Sequence, residues 1–101
     1  MISSQILLPT KDNRGELLPS EYIQPILTLI AQTFGGYTLT VGQGEFVTDD
    51  NTLIEEDVKI VTIIGDKKKV KDFILSLANG VKTNQNQESV LIYIDKTPIF
   101  V

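Results

Sequence analysis

Three residue types that carry much of enzyme and metal chemistry are missing from this chain. It contains no cysteine, no histidine and no tryptophan. Without cysteine there is neither a disulfide nor a thiolate nucleophile. Without histidine as well, the usual zinc ligand sets and the nucleophiles that histidine activates are excluded. We therefore predict no metal and no cofactor, and we assign no catalytic residue from these chemistries.

Positive charge and long apolar runs are scarce too. The 13 acidic residues outnumber the 9 basic ones and give a net charge of −4, which argues against non-specific binding to nucleic acid. Apolar runs fall far short of the roughly 20 residues that a membrane helix needs. The segment from Met1 to Gln5 has no basic region, so we expect no secretory signal. These features predict a cytoplasmic protein that binds neither membranes nor nucleic acid.

The pattern of apolar residues predicts one domain, residues 1–101, with strands and helices in a regular order. In chain order we expect a strand at Ile2–Leu8, a helix within 20–34, strands at 37–41 and 57–64, a helix at 66–80, a strand at 88–95, and a short edge strand at 99–101. The βαββαβ order of the main elements predicts an α+β, ferredoxin-like sandwich, with an antiparallel sheet and both helices on one face.

Two pairs of glycines mark changes of direction. Gly35 and Gly36 follow the first helix, and one of them is expected to supply the left-handed residue that ends it. Gly42 and Gly44 resemble the start of a dinucleotide-binding motif, but Val47 stands where the third glycine belongs and a strand follows. We interpret this second pair as a bulge or tight bend.

Two helices can cover only one face of the predicted sheet. Val61 and Ile63 are expected on the opposite face, together with Leu91 and Tyr93, where a solvated sheet would carry polar residues. Such an apolar patch predicts self-association through these four side chains. The alternative is that a hairpin at 46–53, or the C-terminal tail, covers the same face within one chain.

A lysine cluster at the start of the second helix is the other unusual feature. Lysines there oppose the helix dipole, so they either form a solvated end or, with the helix N–H groups, bind a small anion. Glu88 either belongs to a cleft or caps a loop. The candidate ligand-binding residues are Gly42, Gly44, Lys67, Lys68, Lys69 and Glu88.

Three motifs occur together along most of the chain: the run from Phe34 to Thr38, the glycines at 42–44, and the run from Gln87 to Val90. In this order they resemble a family of small, uncharacterised bacterial proteins, in which a tryptophan often lies near the position of Phe46. That resemblance implies a ferredoxin-like fold and carries over no catalytic residue. The chain is more distantly similar to PII-like signalling proteins, which form trimers and bind nucleotides between subunits.

Three functions follow from these observations. The leading hypothesis is a non-enzymatic, oligomeric interaction module. The second is a PII-like sensor that binds an anion or a nucleotide at a subunit interface, near the glycines at 42–44 and the lysines at 67–69. The third is an enzyme that uses Glu88, Glu56 or Tyr37 as acid or base.

Overall fold

One antiparallel sheet carries the fold, and the computed structural model describes all residues from Met1 to Val101. A single 3-10 turn, Ser20–Tyr22, precedes the first helix. The elements are β1 (Ile2–Leu8), α1 (Ile23–Phe34), β2 (Thr38–Val47), β3 (Leu53–Gly65), α2 (Lys67–Asn84), β4 (Leu91–Ile94) and β5 (Thr97–Phe100).

The predicted four-stranded, ferredoxin-like βαββαβ plan is wrong. The sheet has five strands in the order β2-β3-β1-β4-β5, with β1 at its centre. After Ile94 the chain reverses through Asp95, whose φ is 56°, and β5 pairs with the whole of β4. Apolar periodicity indicated only a minor strand at 99–101, because it does not reveal which residues pair across a tight turn.

The β2–β3 hairpin is longer than the sequence pattern suggested. Its strands pair one to one from Thr38 and Thr62 to Val47 and Leu53. The ladder is therefore continuous through Gly42 and Gly44, and the predicted bulge is wrong. Because β1 ends at Leu8, opposite Lys59, the outer part of the hairpin extends past β1 without a third strand beside it.

The open-face patch predicted for self-association is wrong in two of its four residues. Val61 and Ile63 are 0% exposed. They lie opposite Ile6 and Ser4 of β1, on the face that the helices cover. Apolar residues occupy both faces of β3 from Val58 to Ile64, so the pattern alone could not decide which set faces the core; the pairing register decides it. Leu91 and Tyr93, each half-buried, do lie on the face away from the helices.

Helix α1 lies within the predicted range, residues 20–34. A 3-10 turn comes first, and the α-helix begins at Ile23, the first residue of its apolar stripe. Pro25 then falls in the first turn, where its missing N–H would have no intrahelical partner in any case. Ile23, Leu27 and Ile30 are buried. The helix ends at Gly35 with φ 86°, which confirms the left-handed glycine.

Helix α2 starts as predicted and ends later. The carboxylate of Asp66 accepts a hydrogen bond from the N–H of Lys69 at 3.2 Å and caps the helix. The predicted end at Asn79-Gly80 is wrong, because the helix continues to Asn84 and buries Ala78 and Val81 against the sheet. At about 1.5–3 kcal/mol per large buried side chain, such burial outweighs the roughly 1 kcal/mol that a helical glycine costs. Neither helix has the length and apolarity that crossing a membrane requires.

Candidate functional site

A cleft lies on the sheet face away from the helices. We call it the hairpin cleft: a space of about 330 Å³ between the outer end of the β2–β3 hairpin and the residues that lead into β4. Leu7, Ile54 and Val58 form its apolar floor. Its volume falls at the small end of the range for ligand pockets, roughly 300–1,000 Å³.

Glu56 fixes one end of the cleft by holding the chain that leaves β1. Its Oε2 accepts hydrogen bonds from the N–H groups of Thr10, at 3.0 Å, and Lys11, at 2.7 Å. Pro9 has no N–H and ends the β1 ladder, so the chain turns here and lies beside the overhanging part of β3. Glu56 therefore supports the wall of the cleft, and one of its oxygens is already occupied.

Gln87 joins this segment to the far wall, and Asp12 closes a local turn within the segment. The side-chain amide of Gln87 donates to the carbonyl of Lys11 at 2.8 Å. Asp12 is only 7% exposed, and its Oδ1 accepts from the N–H groups of Arg14, at 2.8 Å, and Glu16, at 3.0 Å. These backbone hydrogen bonds, Glu16 first, hold the pKa of Asp12 below its ordinary value. The buried carboxyl therefore stays ionised.

Glu88 closes the cleft at the hairpin end. Both of its carboxylate oxygens lie 3.1–3.2 Å from the N–H of Asp49 in the hairpin turn. The turn itself is closed by a hydrogen bond from Thr48 N–H to the carbonyl of Thr52 at 2.9 Å. Glu88 thus caps a loop, one of the two roles its sequence position allowed. The contact also shows that the hairpin leans over part of the open sheet face within one chain.

Phe46 forms the β2 wall of the cleft, and Gly44 makes its position possible. Residues two apart on a strand share a face, and the Phe46 ring folds back over Gly44. A Cβ atom built on Gly44 would lie 2.8 Å from Cε2 and from Cζ of the ring. No larger residue fits at Gly44 unless the ring moves. Gly44, which suggested a bulge, instead leaves room for the Phe46 ring.

The charge of the cleft is uniformly negative. Four acidic residues are among its lining residues, and no lysine or arginine is; they are Asp12, Glu45, Glu56 and Glu88. Glu45 alternates with Gly44 and Phe46 on β2, so its side chain lies on the other face of the strand. Phe46 and Phe100 add two phenyl rings. Carboxylates and aromatic faces both attract an organic cation, whereas an anion would be repelled.

The residues predicted to bind an anion are not brought together. Gly44 lies opposite Glu56, whereas the lysines follow Gly65 at the other end of β3, roughly 30 Å away at about 3.3 Å per residue. Lys68 forms an ion pair with Asp72 at 2.8 Å.

Lys69 is occupied as well. It donates to the carbonyl of Thr33 at 3.0 Å and lies 5.1 Å from the centre of the Phe34 ring. Within one chain, of the six predicted ligand residues only Glu88 lines the hairpin cleft. Gly44 contributes indirectly, through Phe46.

The three residues predicted as acid or base do not all lie together either. Glu56 and Glu88 line the cleft, but Tyr37 does not. It precedes Thr38, which pairs with Thr62 at the lysine end of the sheet. Asp12, Glu45, Phe46 and Phe100 were not predicted as site residues. One signal for Phe46 was present: a phenylalanine two residues after a strand glycine, on the same face.

No protein-family model matches the chain, and no curated protein matches it. Two solved structures do. A phage SAM (S-adenosylmethionine) lyase in complex with S-methyl-5′-thioadenosine superposes with a TM-score of 0.76 at 14% identity, covering 98% of this chain and 87% of the other. A phage SAM lyase in the apo state gives a TM-score of 0.73 at 14% identity, covering 98% and 86%.

At this identity the likeness establishes the fold alone. It nevertheless contradicts the leading hypothesis, a non-enzymatic interaction module, because the solved proteins that share this fold are named as a lyase. The alternative, a PII-like sensor for an anion or a nucleotide, is corrected with it, and the acidic lining of the cleft disfavours an anion. The chain has the fold of phage SAM lyase.

Proposed function

We propose that this protein binds S-adenosylmethionine in the hairpin cleft and cleaves it. The observation that carries the proposal is the cleft itself: acidic residues and two phenyl rings over an apolar floor, with no lysine or arginine in the lining. S-adenosylmethionine carries a permanent positive charge on its sulfonium sulfur. Carboxylates and aromatic faces are the groups that attract such a cation in a partly enclosed site.

The chemistry follows from the ligand of the solved lyase. S-methyl-5′-thioadenosine is what remains of S-adenosylmethionine when the bond from sulfur to the amino-acid chain breaks. The electron pair of that bond moves to sulfur, and the cation becomes a neutral thioether. A lyase adds no water, so the departing chain either loses a proton to a base or closes onto its own carboxylate.

The carboxylates of the cleft would strengthen substrate binding more than they would accelerate cleavage of the bond. Positive charge leaves the sulfur as the bond breaks, so a nearby carboxylate stabilises the substrate more than the transition state. Rate enhancement then depends on holding the departing chain in a reactive geometry. Glu88 is an exposed carboxylate of the cleft that can accept a proton if elimination is the route.

The test is to incubate the purified protein with S-adenosylmethionine and to measure S-methyl-5′-thioadenosine and its companion product by liquid chromatography and mass spectrometry. A blank without protein corrects for spontaneous breakdown. Glu88→Gln removes a charge from the cleft, and Glu21→Gln removes one from an exposed residue outside it. We expect the first variant to weaken binding and the second to leave it unchanged. No product above the blank, and no binding at millimolar ligand, would refute the proposal.

We also propose that the protein self-associates through the part of the open face that the hairpin leaves uncovered. Tyr93 lies there, together with Ile64, which is 60% exposed. Sedimentation velocity at micromolar concentration tests it: Tyr93→Lys should shift a dimer or larger species towards monomer. A wild-type protein that sediments as a monomer would exclude this interface.

A further inference from the structure

We propose that the Phe46 ring, in the position that Gly44 allows, is the surface on which the base of a bound nucleoside stacks. This inference rests on the proposed function and identifies which side chain recognises the nucleoside. Its starting point is a glycine that the backbone does not require.

Gly44 lies within a continuous strand, opposite Glu56, and its φ is not positive. Glycine weakens a strand, since it has no side chain to pack and loses more conformational freedom on folding. Here the glycine allows the Phe46 ring to lie over the strand, because a Cβ atom at position 44 would collide with Cε2 and Cζ of the ring at 2.8 Å. The sequence therefore favours a particular position of the ring over a stronger strand.

The ring is available to a ligand. Phe46 is 40% exposed and belongs to the lining of the cleft. Phe46 on β2 and Leu91 on β4 line opposite walls of the cleft, with β3 and β1 between their strands in the sheet. A flat group can enter between these walls and lie against the free face of the ring.

The rest of the cleft indicates what kind of flat group. Bases stack on aromatic side chains whatever their hydrogen-bonding edge, and the rings prefer centroid separations of about 4.5–7 Å. The carboxylate of Glu88 lies in the same cleft and attracts a cation. A ligand that combines a flat base with a positive charge uses both features, and an adenosyl sulfonium has this composition.

The decisive experiment is a double-mutant cycle with two probes. S-methyl-5′-thioadenosine has the base without the charge, and S-methylmethionine has the sulfonium without the base. We expect Phe46→Leu and Gly44→Ala each to weaken binding of S-methyl-5′-thioadenosine by roughly tenfold. The combined variant should be no weaker than Phe46→Leu alone, because Gly44 acts only through the ring. Binding of S-methylmethionine should not change in any of the three.

Gly42→Ala is the matched control, since Gly42 is on the same strand and the same face. Its added Cβ would meet a flexible methyl group, Cδ1 of Ile60, at 3.1 Å, and should leave binding unchanged. Denaturation midpoints confirm that each variant folds. In NMR spectra of the complex, the adenine protons should show contacts to the Phe46 ring.

Additive effects of Gly44→Ala and Phe46→Leu, or no binding of S-methyl-5′-thioadenosine by the wild type, would overturn the inference. Cleavage of S-adenosylmethionine that does not depend on Phe46 would overturn it and leave the proposed function in place. Binding of the nucleoside that depends on the Phe46 ring, without cleavage of S-adenosylmethionine, would support the inference and refute the proposed function.

Discussion

The two glycines after α1 allow the cost of one backbone angle to be measured by itself. Gly35 has φ 86° and ψ −5°, and its N–H donates to the carbonyl of Ala31 at 2.8 Å. Gly36, the next residue, has no positive φ. An added Cβ atom would meet no heavy atom within 4 Å at either position. Gly35→Ala and Gly36→Ala therefore differ in backbone conformation and not in packing.

The size of the difference follows from two opposing effects. Replacing glycine by alanine restricts the unfolded chain and stabilises the fold by about 0.4–1 kcal/mol, and this gain is common to both variants. A left-handed conformation costs an L-residue about 1–2 kcal/mol, and only Gly35→Ala incurs this cost. We expect Gly36→Ala to be at least as stable as the wild type, and Gly35→Ala to be less stable than Gly36→Ala by about 1–2 kcal/mol.

Urea denaturation followed by circular dichroism measures this difference directly. The denaturant dependence of the unfolding free energy should be the same in both variants, so the midpoints alone report stability. Thermal midpoints should differ by about 4–8 °C for each kcal/mol. Valine in place of alanine should widen the gap, because a β-branched residue tolerates positive φ poorly. Equal midpoints for the two alanine variants would show that the turn relaxes without cost and would refute the reasoning.

Three further outcomes follow from the described contacts. Burial, and then the charge of Glu56, raise the pKa of Tyr22 above its ordinary value of 10.0, so stability is present below pH 10 and lost as the pH rises above it. Tyr22→Phe removes the hydrogen bond to the carbonyl of Pro9 and should lower stability by about 1 kcal/mol at neutral pH. Above pH 10, its denaturation midpoint should fall less steeply with pH than that of the wild type. Equal slopes of the midpoint against pH would contradict this. Glu88→Ala should speed hydrogen exchange at the Asp49 N–H, whereas Glu21→Ala should not, and unchanged exchange in both would show that Glu88 does not hold the turn. Isothermal titration at 50 and 500 mM salt should show weaker binding of S-adenosylmethionine at high salt and little change for neutral S-methyl-5′-thioadenosine; equal salt dependence would exclude a role for the carboxylates.

Local features of the fold could be predicted where one residue type decides them. The left-handed Gly35 and the start of the second helix, which the carboxylate of Asp66 caps, each depend on a single short-range effect, and the structure contains both. The end of α2 could not be predicted this way. A helix-ending signal at Asn79-Gly80 competes with the burial of Val81, and only the packed structure shows which effect is larger.

The cleft was beyond prediction for a related reason. Its residues come from separate parts of the chain, with Asp12 after β1, Phe46 at the end of β2 and Phe100 in β5. No spacing in the sequence relates them, because sheet pairing brings them together. Glu88 and Gly44 were identified from the sequence, but for an anion. Their roles changed once Glu88 was seen at the hairpin turn and Gly44 under the Phe46 ring.

Because the hairpin extends past β1, the stability of the fold and the ligand affinity of the cleft depend on different residues. Beyond Lys59 it is a two-stranded ribbon, and such ribbons are marginally stable without further support. The apolar cluster under the helices, by contrast, contains 14 buried residues. Substitutions that strengthen this cluster should raise the melting temperature and leave ligand affinity unchanged. Substitutions in the ribbon should alter affinity at nearly constant melting temperature, so each property can be changed by selection without loss of the other.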